Sequence, residues 1–96
     1  MKHQVNLTPS AEQDLKYLRA YEQRIIIVAI QSYLWEDANV ESNRRKRLGP
    51  NELAPWELRT GKYRIFYELR TEEVKFVAIG YKEHNELFVR GRKVEL

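Results

Sequence analysis

Pro55-Trp56-Glu57-Leu58-Arg59-Thr60-Gly61-Lys62-Tyr63-Arg64-Ile65-Phe66-Tyr67-Glu68-Leu69 is the stretch whose reading decides the fold. Its polarity alternates with a period of two, the signature of a strand that buries one face. Trp56–Arg59 reads as one strand and Lys62–Leu69 as the next. Thr60-Gly61 between them reads as a tight turn, since glycine adopts positive φ without steric cost. Alternation places Tyr63, Ile65, Tyr67 and Leu69 on one face and Lys62, Arg64, Phe66 and Glu68 on the other.

Beyond this hairpin, Val74–Tyr81 is almost wholly apolar and β-branched, as a central strand covered on both sides requires. The tail from Lys82 to Leu96 mixes charges around Leu87-Phe88-Val89. Before the hairpin the pattern differs. His3–Leu7 alternates weakly and predicts a short strand. Thr8-Pro9 then marks a helix start, with a hydroxyl to cap the first turn and a proline at its first position. Ala11, Leu15 and Leu18 line one helical face. A second helix is predicted over about Glu22–Glu36, where Ile26, Ile30, Tyr33, Leu34 and Asp37 continue a 3.6-residue spacing. The turn near Arg19–Tyr21 makes the two an antiparallel helical hairpin. Asp37–Pro55 is polar and holds the breaker cluster Gly49-Pro50-Asn51. A strand, two helices and then a meander predict an α+β fold. The N-terminal strand and helical hairpin pack on one face of a mostly antiparallel sheet, and the opposite face is left open.

At 96 residues the chain has room for one domain, 1–96. Its 43% hydrophobic and 32% charged content is that of a globular protein rather than a disordered one. It has no cysteine, which excludes disulfides, thiolate metal sites and thiol nucleophiles. The N-terminus has no apolar signal core, and Ile25–Ile30 is too short to span a bilayer. A cytoplasmic protein with no membrane contact is the expectation. The histidines, His3 and His84, lie far apart, so no metal or other cofactor is expected. No nucleophile elbow and no phosphate-cradling glycine loop occurs.

What remains is basic and aromatic. The net charge of +3 favours polyanions or an acidic protein as partner. Metal-free RNA cleavage needs a base, cations for the phosphorane and an acid for the leaving oxygen. Arg64 on an open strand face can stabilise charge, and Arg59 across the turn can hold a phosphate. Lys62 shares the face assigned to Arg64. Histidine is the side-chain type suited to moving protons, which makes His84 a candidate, with Lys82 beside it. The plainer reading of each is a solvated surface residue. Arg44-Arg45-Lys46-Arg47 either binds phosphates without reading sequence or is a solvated helix end. Trp56 and Phe66 are the aromatics placed for an exposed base stack.

Three stretches resemble the RelE/ParE superfamily of toxins: "VNLTPSAEQDLKYL", "PWELRTGKYRIFYEL" and "VKFVAIGYKEHNELF". The resemblance spans nearly the whole chain in the right order. It implies an α+β toxin of a type II toxin–antitoxin system, neutralised by a cognate antitoxin. RelE-like members cut mRNA on the ribosome without metal, while ParE-like members inhibit DNA gyrase. Arg64 matches the family's phosphate-stabilising arginine. Lys82 sits where RelE has a second arginine, Phe88 where it has a catalytic tyrosine, and Pro55 and Glu57 where it has two lysines. Some relatives use Glu, Arg and a C-terminal His, a set that Glu57, Arg64 and His84 can supply. On that basis the expected function is a ribosome-dependent mRNA endoribonuclease. Glu57, Arg64, His84 and Lys82 are then catalytic, and Arg59, Lys62, Arg44, Arg45, Lys46, Arg47 and Phe88 bind RNA. The ribosome and mRNA are its target. The alternatives are a ParE-like, non-nucleolytic gyrase inhibitor and a degenerate toxin acting mainly through antitoxin binding.

Overall fold

The computed structural model describes residues 4–33, 42–51, 53–70 and 73–95. His3, Leu34, Glu36, Asp37, Thr71 and Glu72 lie outside them. The described elements are β1 (Gln4–Leu7), α1 (Pro9–Tyr17), α2 (Ala20–Tyr33), β2 (Arg45–Arg47), β3 (Trp56–Thr60), β4 (Tyr63–Arg70), β5 (Glu73–Glu83), β6 (Glu86–Val89) and β7 (Arg92–Val94). They form the α+β arrangement expected, and six strands run in the order β2-β3-β4-β5-β6-β7 with antiparallel pairing throughout. The exception is β1, which pairs with the start of β5 in parallel. Among the described residues no helix is long and apolar enough to cross a membrane.

Thr8 caps α1 as its chemistry requires: its hydroxyl accepts from the Ala11 amide at 3.1 Å. The chain leaves α1 in extended conformation at Leu18. Glu22 then closes the start of α2 by accepting from the Arg19 amide at 3.2 Å. The β-branched run Ile25–Ile30 is helical, in keeping with its 3.6-residue spacing. Ile26, Ala29 and Ile30 face the sheet with Ala11 and Leu15 of α1.

The predicted hairpin pairs Trp56 with Tyr67, Leu58 with Ile65 and Arg59 with Arg64. Its turn falls one residue later than expected, on Gly61-Lys62, with Gly61 at φ +56°. Tyr63, Ile65 and Tyr67 enter the helix-covered core with Trp56, Leu58, Val74, Phe76 and Ile79. A bulge accounts for the pattern of β5. Phe66 pairs with Ala78 but Tyr67 pairs with Phe76, so Val77 is the extra residue. Without it, Val74 and Phe76 would face opposite ways from Ile79 and Tyr81; with it, all four meet the helices.

The opposite face differs from the open surface expected. Phe66, Ala78 and Leu87 form a second, smaller core under Ala54, Leu48 and Leu53 of the preceding loop. Asn51 holds that loop. Its amide nitrogen donates to the Gly49 and Ala54 carbonyls, and its oxygen accepts from the Leu53 and Ala54 amides, all within 3.0 Å. Trp56 and Phe66, expected as exposed stacking platforms, are both buried, at 6% and 0% exposure. Core packing outweighs any stacking role because each fully buried aromatic of this size contributes about 1.5–3 kcal/mol.

Candidate functional site

Alternation along β3 sends Trp56 and Leu58 to the helices, and so sends Glu57 and Arg59 to the second face. The β3–β4 register sets Arg59 directly opposite Arg64 and Glu57 opposite Phe66. The β2–β3 register adds Lys46 opposite Glu57. Glu57, Arg59, Arg64 and Lys46 are therefore neighbours on one sheet face, brought together from segments up to 18 positions apart (46 to 64).

Glu57 is 98% buried: only 2% of it is exposed. Its Oε1 accepts from Arg59 Nε at 2.5 Å, and the Arg59 side chain remains 42% exposed. A buried carboxylate needs such a partner, since an unpaired charge there costs several kcal/mol. Arg64 is half-buried. Its Nη1 donates to the Gly61 carbonyl at 2.9 Å and the Tyr63 carbonyl at 2.8 Å, while Nε is buried without a partner. Burial pulls its guanidinium below the usual arginine value, Glu57 opposes that shift, and Arg59 adds to it. Two guanidiniums thus face one another across a strand pair with one buried carboxylate between them in charge. The arrangement leaves a net positive patch whose exposed cation is Arg59, suited to receiving a carboxylate or phosphate.

The other expected site residues lie elsewhere. Lys62 turns to the helix side, where Nζ sits 5.6 Å from the Tyr63 and Tyr81 ring centroids and 3.9 Å from Glu22 Oε2. The turn's one-residue shift is the cause: Lys62 is a loop residue, free of the strand alternation that was to set it beside Arg64. Phe88 pairs with Tyr81 and stacks on it at 5.7 Å, on the helix side as well. His84 is exposed at the β5–β6 turn with φ +52°. It lies four residues beyond Gly80, the strand partner of Arg64, or about 13 Å along an extended chain. Lys82 pairs with Leu87, two residues from Gly80. The Glu57, Arg64 and His84 set is not assembled as a triad.

The basic run is neither a helix end nor a continuous patch. Arg45–Arg47 is an edge strand, so its charges alternate between faces. Arg47 goes to the helix side and covers the Trp56 ring at 5.9 Å. Lys46 goes to the Glu57 side, and the Arg44 carbonyl accepts from the Arg59 amide at 2.7 Å. Short basic edge strands also discourage pairing with foreign strands. No group of three or more metal-binding side chains occurs among the described residues.

Sequence reasoning passed over Asp14. It is 2% exposed on α1 and accepts from the Ile79 amide at 3.1 Å. β1 covers the edge of β5 at 73–76 and β6 covers it at 81–83, so Ile79 sits in the gap between them. Asp14 fills the missing bond. The signal available was a carboxylate at the position between Ala11 and Leu15 on the apolar face of α1.

A family model described as "ParE toxin of type II toxin-antitoxin system, parDE" matches residues 5–86. No curated protein matches the chain. The family match corrects the expected activity. It falls on the ParE branch, whose toxins do not cut nucleic acid, so the mRNA endoribonuclease reading is overturned. The ribosome and mRNA go with it as partners. The geometry is of a piece with that correction: the carboxylate beside Arg64 is buried and ion-paired, and Phe88 has no hydroxyl and faces the other way.

Proposed function

The chain belongs to the ParE toxin family of type II toxin–antitoxin systems, and from that premise we propose that it arrests growth by binding DNA gyrase without cutting nucleic acid. The family match carries this reading. The face bearing Arg59, Arg64 and Lys46 is the contact we assign to the target. It offers cations, Arg59 the most exposed of the paired ones, and it supplies no positioned acid–base pair. Such a surface recognises an acidic side chain or a phosphate and holds it. The reading places the protein in the cytoplasm, as one domain over residues 1–96.

The test is DNA supercoiling by purified gyrase with the toxin added, wild type and Arg64→Ala. Inhibition by the wild type that weakens at least about tenfold in the variant, the scale of one interface hot spot, supports both target and contact. Supercoiling unchanged at a large molar excess of toxin removes the gyrase reading. Inhibition equal in both proteins keeps the target and removes Arg64.

A cognate antitoxin is the second partner, and α2 is the surface we assign to it. Tyr21, Ile25 and Val28 form a stripe at i, i+4 and i+7 that is 56%, 42% and 58% exposed, with Tyr17 of α1 beside it at 60%. Ile26, Ala29 and Ile30 already fill the inner side of the same helix. A helix apolar on both sides belongs in the interior of a larger assembly. An amphipathic antitoxin helix of acidic character fits both the stripe and the net charge of +3. Val28→Glu is expected to weaken antitoxin binding by at least about tenfold while leaving gyrase inhibition intact, measured by titration calorimetry.

A further inference from the structure

The family match ends at Glu86, yet the chain continues into a β-hairpin, β6–β7, that completes the sheet. Leu87 enters the second core and Val94 packs against it. Three observations converge on the tip of this hairpin. First, its turn is Arg90-Gly91, with both residues at positive φ, +52° and +77°. That is the backbone of a type I′ turn, where Asn or Gly is the favoured first residue and arginine is disfavoured. Second, the Arg90 side chain leaves the hairpin for α1. Its Nε lies 2.8 Å from Asp14 Oδ1, and Nη1 reaches Gln13 Oε1 at 3.5 Å. Asp14 Oδ1 is buried and has no aligned hydrogen bond, so the contact is one of charge. Third, Tyr17 of α1 lies over the turn. A Cβ on Gly91 would come within 2.8 Å of its hydroxyl oxygen.

Gln13, Asp14 and Tyr17 thus form a seat on α1 for the hairpin tip, and Arg90 is the only charged group the tip places in it among the described contacts. Asp14 is doubly engaged. One oxygen closes the gap at Ile79 and the other receives Arg90. Away from the tip, the hairpin pairs with β5 over three residue pairs, Tyr81–Phe88, Lys82–Leu87 and Glu83–Glu86, and packs through Leu87 and Val94 on the second core. At Gly80 it passes so close that a Cβ would lie 2.3 Å from the Phe88 carbonyl oxygen.

We propose that Arg90 and Asp14 form a clasp that holds the C-terminal hairpin shut against α1, and that the hairpin opens as a unit when the clasp is released. Opening bares the edge of β5 at residues 81–83 and the Leu87 side of the second core. Arginine occupies a position whose backbone disfavours it, and its charge, not its turn propensity, fastens the hairpin. Segments joined by few contacts open locally in this way, well below the free energy of global unfolding.

Amide hydrogen exchange on the full chain tests the clasp, because turn chemistry and charge make opposite predictions for one substitution. Arg90→Asn supplies the preferred residue for a type I′ turn while deleting the charge. The clasp predicts that the protected amides of residues 86–94 exchange at least tenfold faster, with those of Ile65 and Tyr67 unchanged. If the turn itself holds the hairpin, exchange slows or stays the same, and the proposal is overturned. Asp14→Asn keeps an oxygen for the Ile79 amide and removes the charge, so it should reproduce the same local acceleration. The double variant should exceed neither single one, as expected for two halves of one contact. Acceleration across every amide in Asp14→Asn would report general destabilisation, and Arg90→Asn, which touches no buried backbone bond, then decides alone. Additive acceleration in the double variant also overturns the clasp.

Discussion

The two faces of the sheet are built on different terms. The helix-covered face is filled by large apolar side chains: Trp56, Tyr67 and Phe76 stand in ring contact at 5.9 Å and 6.2 Å, with Leu58, Ile65, Val74 and Ile79 around them. The second face has a small core of Phe66, Ala78 and Leu87 beside a buried carboxylate and two arginines. The first face specifies the fold through packing. The second gives up packing area to hold charge in place, and a face that keeps an unpaired Arg64 Nε has given up some stability as well. The difference separates the residues that make this protein fold from those available to bind.

Substitutions can break or sharpen that contrast. Tyr67→Ala removes a fully buried ring from the first face and should cost about 3–5 kcal/mol in chemical denaturation. Leu87→Ala on the second face should cost about 2 kcal/mol, the low end for such a change, because the covering loop and hairpin can settle into the space. Reversal of that order would mean that the second core, not the first, carries the fold. Glu57→Gln should cost about 1–2 kcal/mol, less than a fully buried pair, because the half-exposed Arg59 can turn to water. Arg64→Ala should change stability by under about 1 kcal/mol and still abolish growth arrest. A large stability loss there would make Arg64 structural.

A further small effect is one of pH. Tyr63 donates to Glu22 Oε2 at 2.6 Å and, with Lys62 and Arg19 nearby, holds the Glu22 carboxyl below its ordinary 4.5. A lowered carboxylate value stabilises the fold above the unfolded value and loses that contribution as pH falls through the folded one. Tyr63→Phe should therefore cost about 1 kcal/mol at pH 7 and nothing once both forms are protonated, read as converging denaturation midpoints at acid pH. Asp14 runs in the other sense. Burial raises its carboxyl, against the Ile79 bond and Arg90, so its contribution grows as pH falls from the raised value toward 3.8. The two act in overlapping windows, and only the Tyr63→Phe comparison isolates Glu22.

Much of the fold was legible because periodicity is a local property. The Thr8-Pro9 cap, the inward spacing of Ile26 and Ile30, and the alternation through Tyr63, Ile65 and Tyr67 each follow from neighbouring residues alone. Less of the site was legible. That Glu57 and Arg59 share a strand face follows from alternation, but their ion pair and the residues that stand opposite them depend on the tertiary structure. Lys62 leaves the face that alternation gives it because the turn shifts by one residue, and the place of Phe88 on the helix side follows from the pairing of β6 with Tyr81, which no local pattern shows. The run Arg44–Arg47 looked like a patch in one dimension and is an edge strand in three. The activity was misjudged for a related reason: the shared motif marks the superfamily, whereas the branch follows from similarity along residues 5–86.

By itself the sequence determined the order of helices and strands, the apolar face of each, and the absence of cysteine chemistry, since these depend on residue type and spacing. Only the tertiary structure decided that Val77 bulges to bring Ile79 and Tyr81 under the helices. It alone decided that Arg59 and Arg64 meet across strands, and that Asp14 of α1 serves both Ile79 and Arg90. Those are contacts between residues up to 76 positions apart (14 to 90), set by strand register and sheet edge, and no local pattern encodes them.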